Sequence, residues 1–186
     1  MKSFYELPKF VQWVIATILI VVGIGAIIPF LAKSYTFLLV PIIAPILNFV
    51  SVPFFRLIGY YKYLNPYVLS TVQTDKHYDL HNIFTFDYFV NFKWSDRGVT
   101  VQKTLLNSYF KALITIIERI ETKQLSPEVK IVGHSYFFNN RTAEKLGFKV
   151  SKASLFWTLN SIFQFIELTY LYSFSKGKIE YQNFGK

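Results

Sequence analysis

Two long apolar runs open the chain. Residues 11–31, VQWVIATILIVVGIGAIIPFL, carry no charge. As a helix rising about 1.5 Å per residue they cover about 31 Å, the thickness of a bilayer's hydrocarbon core. Trp13 near the start suits an interfacial aromatic belt. The run is too long for the apolar part of a signal peptide, and no small-residue cleavage site follows it. After residues 32–36 comes FLLVPIIAPILNFVSVPFFRL (37–57), charged only at Arg56. Pro41, Pro45 and Pro53 each remove a backbone donor, which predicts kinks. In lipid the freed carbonyls need partners. The first helix is the natural partner, with Gly23 and Gly25 letting the backbones approach. The pattern predicts a transmembrane hairpin over residues 1–58. Its second arm either spans or re-enters, and its length favours spanning.

Beyond residue 58 the period changes. Residues 67–72 read as a strand. HYDLH (77–81) and FTFDYFVNF (84–92) alternate at period two and read as two more. Gly98 opens a helix over 99–123. Leu105, Tyr109, Leu113, Ile116, Ile117 and Ile120 form its apolar stripe; Lys103, Asn107, Lys111, Glu118 and Thr122 form its polar one. VKIVGHSYFF (129–138) reads as a strand. Asn139 or Asn140 caps a short helix over 141–146, which Gly147 ends. FKV (148–150) reads as a further strand. LFWTLNSIFQFIELTYLYSF (155–174) is a third apolar segment, with Asn160, Gln164 and Glu167 on one helical face. Glu167 would cost about 2.5–3.5 kcal/mol at a bilayer centre. That favours a helix packed on the sheet, or one lying in the interface with its aromatics down, over a third span. The fold class is α+β: a two-helix membrane anchor (1–58) followed by a small cytosolic mixed sheet domain (59–186).

Composition sharpens this picture. Apolar residues make up 52% of the chain and charged ones 17%, below the usual quarter for soluble domains. Cysteine is absent, which excludes disulfides, thiolate catalysis and Cys-based metal sites. The net charge is +9, and residues 59–186 contribute 16 Lys and Arg against 10 Asp and Glu. Beside a membrane, anionic headgroups are the economical partner for that excess. No dense basic run or nucleic-acid signature is present, so nucleic acid is not expected as a partner. Lys2 and Lys9 precede the first run and Arg56 and Lys62 follow the second, with Lys33 alone between them. The positive-inside rule then puts both termini in the cytoplasm.

Candidate chemistry gathers at two places. On a strand, His77, Asp79 and His81 share one face. If 84–92 paired with that strand, Thr85, Asp87 and Asn91 would join them. Asp79, His81 and Asp87 would then suit a His–Asp general base or a divalent metal, the metal itself left open. The bland alternative is a solvated sheet face. At the second place, Asn139, Asn140 and Arg141 open a helix. Its free N–H groups and the guanidinium suit an anion such as a lipid phosphate.

IVGHSYFF (131–138) resembles the nucleophile elbow of the α/β-hydrolase family, Gly-x-Ser-x-Gly. Gly133 and Ser135 match, which would make Ser135 a nucleophile with His134 beside it. Phe137 stands where the family has its last glycine, and no histidine follows His134, against the family's order. NRTAEKLGFKV (140–150) is similar to the tail of a GNAT-type acetyltransferase in Asn140, Ala143, Gly147 and Phe148. The family's cofactor loop is missing, so no acetyl-CoA cradle is implied. Two functions remain. One is an integral membrane protein that presents a basic module at the cytoplasmic surface to lipid headgroups or a protein partner. The other is a membrane-bound transferase or hydrolase acting on a lipid-linked or phosphorylated substrate.

Overall fold

Antiparallel helices α1 (Lys9–Leu31) and α2 (Thr36–Leu57) form the N-terminal hairpin. In the computed structural model, which describes residues 3–31, 36–74, 76–134, 140–145, 147–151 and 155–180, Trp13 meets Phe54 edge-on and Gly23 meets Val50. A Cβ on Gly23 would fall 2.7 Å from Val50 Cγ2, so this glycine does set the helix spacing, while Gly25 faces open space. Pro29 lies inside α1 and Pro41, Pro45 and Pro53 inside α2. Lys9–Pro29 and Val40–Leu57 are each long and apolar enough to cross a membrane.

The strands are β1 (Lys62–Asn65), β2 (Val68–Thr74), β3 (His77–Asn82) and β4 (Lys130–His134), in spatial order 1-2-3-4. The first three form an antiparallel meander, and β4 adds parallel to β3. The β1–β2 turn is held by the Asn65 side chain, which accepts the Tyr67 N–H at 3.0 Å, as asparagine does in tight turns. A parallel pair needs a long crossover. It is supplied by α3 (Thr85–Asn91) and α4 (Val99–Glu121). α4 covers one sheet face: Tyr109, Ala112 and Ile116 pack on Val68, Tyr78 and Leu80. Then come α5 (Asn140–Lys145), α6 (Leu155–Phe163) and α7 (Phe165–Lys176).

Several expectations change. Residues 84–92 are not a strand but contain α3. The stripe of α4 is rotated, so Ile117 is exposed and Val101 and Ala112 are buried. Residues 148–150 form no strand. Of the 129–138 segment, Lys130–His134 form β4, and 135–138 lie outside the described residues. The 155–174 segment is two helices, broken at Gln164.

Hairpin and module share one core. Phe4 and Val52 pack with Phe86 of α3, joined by Ile15, Leu19, Phe49 and Tyr61. Within the module, Gly133 pairs in register with Leu80, and a Cβ there would sit 2.1 Å from the hydroxyl oxygen of buried Tyr109. The rigid, packed ring has nowhere to retreat. Gly133→Ala should therefore cost about 1–3 kcal/mol as an overpacking change. Combined with Tyr109→Phe, which removes the clashing oxygen, it should cost much less than the sum of the single changes. Thermal unfolding of the four proteins of this cycle checks that; strict additivity would refute the contact.

Candidate functional site

The most elaborate polar cluster lies where hairpin meets module. Asp87 is the third residue of α3, and it is fully buried. Its Oδ2 accepts the Phe84 N–H at 3.4 Å, satisfying a donor that the start of a helix leaves open. The Tyr63 hydroxyl, from β1, donates to the same oxygen at 2.8 Å. The Tyr5 hydroxyl, from a 3-10 turn over Phe4–Glu6, donates to Oδ1. Arg56, in the last turn of α2, brings Nη1 to 4.0 Å from Oδ1. Its guanidinium lies between the Tyr5 and Tyr63 rings, 3.5 and 3.9 Å from their centroids. A cation against aromatic rings is held by about 0.5–2 kcal/mol, according to how far it is desolvated.

Burial pushes the Asp87 carboxyl above its ordinary value, against the opposing pull of Tyr5, Tyr63, Arg56 and the Phe84 N–H. Burial, reinforced by the Asp87 charge, also pushes the Tyr5 and Tyr63 phenols far up. Both therefore keep their protons and act as donors. Tyr61, half-buried nearby, is pushed up to about 12, by desolvation first and then by Tyr60, Glu167 and Asp87.

A second buried carboxylate ties the same helices. Glu167 of α7 accepts the Asn48 amide at 2.7 Å through Oε2. Its Oε1 accepts the Thr85 N–H at 3.2 Å and the Thr85 hydroxyl at 2.8 Å. Glu167 thus caps the start of α3 from a distant part of the chain and links it to the middle of α2.

The sequence-based site is divided by the fold. Asp79 and His81 come together, Oδ2 to Nε2 3.1 Å, and Thr71 donates to the same Asp79 oxygen at 3.4 Å. Asp87 leaves this group because its segment is a helix that turns it toward the hairpin. Among the described residues no set of three or more His, Cys, Asp or Glu side chains lies close enough to hold a metal ion. The backbone of His134 pairs in register with His81 across β3 and β4. Ser135 and Asn139 lie outside the described residues. Asn140 begins α5, a helix of 6 residues, and Arg141 is exposed on it.

Sequence reasoning missed Tyr5, Arg56 and Tyr63 as partners of Asp87, and Asn48 as a partner of Glu167. Two signals were present: a lone Arg ending an apolar run, and a lone Glu inside another. A charge in such a place needs a partner. Comparison with protein-family models, with curated proteins and with solved structures finds no match to this chain.

Asp87→Ala should cost about 3–5 kcal/mol, because it strands Arg56 and two buried hydroxyls. Asp87→Asn keeps a neutral acceptor and should cost less. The pH dependence has a definite sign. With the native carboxyl raised above its unfolded value of 3.8, the native state holds a proton that the unfolded chain has released. The group's contribution is full below 3.8 and is lost as pH rises through the native value. Melting curves between about pH 4 and 8 should show the wild type losing stability relative to Asp87→Asn as pH rises. Parallel curves would contradict the raised carboxyl.

Proposed function

We propose that this chain is an integral membrane protein. The α1–α2 hairpin spans the bilayer, with both termini cytoplasmic, and holds a basic α+β module rigidly at the surface to engage anionic headgroups. One observation carries the reading. Two antiparallel apolar helices pack against the module on one side and leave bare apolar faces on the other. Ile18, Val21, Val22 and Ile28 on α1, and Ile42 and Ile46 on α2, are all exposed. A continuous apolar surface of that kind has no business in water. The Asp87 and Glu167 clusters support the rigid attachment, since both bind α2 to the module through buried carboxyl groups. Lys9, Arg56 and Lys62 at the shared end of the hairpin support the cytoplasmic assignment, and the module's charge excess supports the headgroup partner.

The full chain should stay with membranes through alkaline carbonate and high salt, and release by either would refute the span. In nanodiscs, phosphatidylserine should raise the melting temperature relative to phosphatidylcholine, and salt should abolish the difference. A lipid-independent melting temperature, with a stoichiometric co-purifying protein, would transfer the module's role to a protein partner.

The Asp79–His81 pair favours a second reading, a membrane-bound hydrolase or transferase with His81 as base. Turnover of a phosphorylated lipid by the wild type, lost in His81→Ala at unchanged melting temperature, would carry it. Equal turnover by the two proteins ends it.

A further inference from the structure

The α6–α7 elbow presents an apolar surface outside the hairpin. Leu159 and Ile162 of α6 and Phe165 and Ile166 of α7 are exposed around the break at Gln164, and Phe89 of α3 is exposed as well. None of these side chains serves the sheet core. Their position in depth is fixed by one bond. Glu167, one residue past Ile166, receives the Asn48 amide at 2.7 Å, and Asn48 sits midway along the apolar stretch Val40–Leu57. At 1.5 Å per residue, Asn48 lies about 13 Å inside the end of α2. A spanning α2 would put it near the centre of a hydrocarbon core about 30 Å thick. Phe49, next to Asn48, packs edge-on against Phe89, which stacks on Tyr170 of α7. So α3, the elbow and the middle of α2 stand side by side.

We infer that the α6–α7 elbow, with Phe89, is a third membrane-inserted element: a kinked helical segment that lies in the leaflet beside α2 and takes lipid acyl chains on its outer face. It rests on the spanning-hairpin reading and extends it. Three polar side chains of this segment, Asn160, Gln164 and Glu167, meet the requirement that lipid imposes. Glu167 is buried and receives three hydrogen bonds. Gln164 and Asn160, one turn apart, bond each other at 3.3 Å. Polar groups at membrane depth persist only when satisfied internally. From Glu167, α7 runs to Lys176, where the Phe174 carbonyl accepts the Gly98 N–H at the start of α4. Exposed Trp94 packs on Phe174 there, an aromatic and a lysine suited to the headgroup level. The chain stays helical through Gln164, whose N–H donates to the Asn160 carbonyl and whose carbonyl accepts the Leu168 N–H, both at 2.9 Å.

The absence of cysteine allows single-cysteine reporters. Ile18→Cys marks the hairpin, Ile162→Cys and Phe165→Cys the elbow, and Glu118→Cys the exposed face of α4. Each would carry a fluorophore in the full chain, reconstituted in phosphatidylcholine vesicles. Quenchers would be acyl-chain nitroxide lipids and, separately, aqueous iodide. The expected result is that Ile18→Cys and both elbow positions lose most emission to nitroxide and little to iodide, with Glu118→Cys the reverse. Elbow positions quenched by iodide while Ile18→Cys is quenched by nitroxide would overturn the inference and leave the hairpin standing. Elbow positions quenched by neither would mean that another chain covers them, which also overturns it. Iodide quenching at Ile18→Cys would remove the hairpin reading itself.

Discussion

Everything at the hairpin–module junction depends on burying one carboxyl group. Taking its charged form out of water costs several kcal/mol even after relaxation, which is why burial raises its affinity for a proton. Asp87 offsets the cost only when four separate parts of the chain arrive together: the N-terminal turn with Tyr5, the end of α2 with Arg56, β1 with Tyr63, and the backbone at Phe84. Loss of any one leaves a buried charge or hydroxyl short of a partner. The residues before the first apolar helix are therefore part of the fold. So is the arginine that would otherwise look like a simple interfacial anchor. Arg56 keeps about a quarter of its side chain exposed (27%) while its planar head is gripped by two rings. It can face a headgroup region and still serve the interior.

Glu167 applies the same logic deeper along α2, and its placement has its own supports. α7 must reach the start of α4 closely enough for the Phe174 carbonyl to accept the Gly98 N–H at 2.9 Å. Gly98 and Gly177 both have positive φ, and a Cβ on Gly177 would come 3.1 Å from Gly98 Cα. Glycine at both positions allows the backbone turn and the close approach at once. With that end of α7 docked, its first turn falls beside Asn48 and Thr85. The hairpin is thus bound to the module by two polar clusters at different levels of one helix, which resists both hinging and sliding. Such an attachment differs from a flexible tether: the module's orientation to the hairpin follows from the fold.

Much of this was legible in the sequence wherever a single period dominates. The apolar runs gave both hairpin helices, the stripe gave α4, and the alternation in HYDLH gave β3. FTFDYFVNF was misread for a specific reason. α3 is sandwiched, with Phe84, Phe86 and Val90 facing the hairpin cluster while Tyr88 and Phe92 face the module cluster. A short helix buried on two sides loses the polar face that identifies a helix, and its aromatics then imitate a strand. Asp87 was singled out as a chemical residue, but its partners lie up to 82 positions away. No local spacing encodes that convergence. The break at Gln164 was hidden too, because Asn160, Gln164 and Glu167 keep helical spacing through it.

The Gly-His-Ser stretch shows how a motif changes meaning once its surroundings are known. In a nucleophile elbow, glycine is needed because the chain turns sharply. Gly133 instead sits in a regular strand opposite Leu80, and the space left by its missing Cβ is filled by the Tyr109 hydroxyl from α4. Gly23 does the same for Val50 between the hairpin helices. Both glycines are sockets for a neighbouring element, so neither points to chemistry. What the strand does contribute is register. By pairing parallel to β3, β4 sets the His134 backbone beside His81, whose Nε2 lies 3.1 Å from Asp79. Among the described residues the chemical question that stretch raises belongs to the Asp79–His81 pair; Ser135 lies outside them.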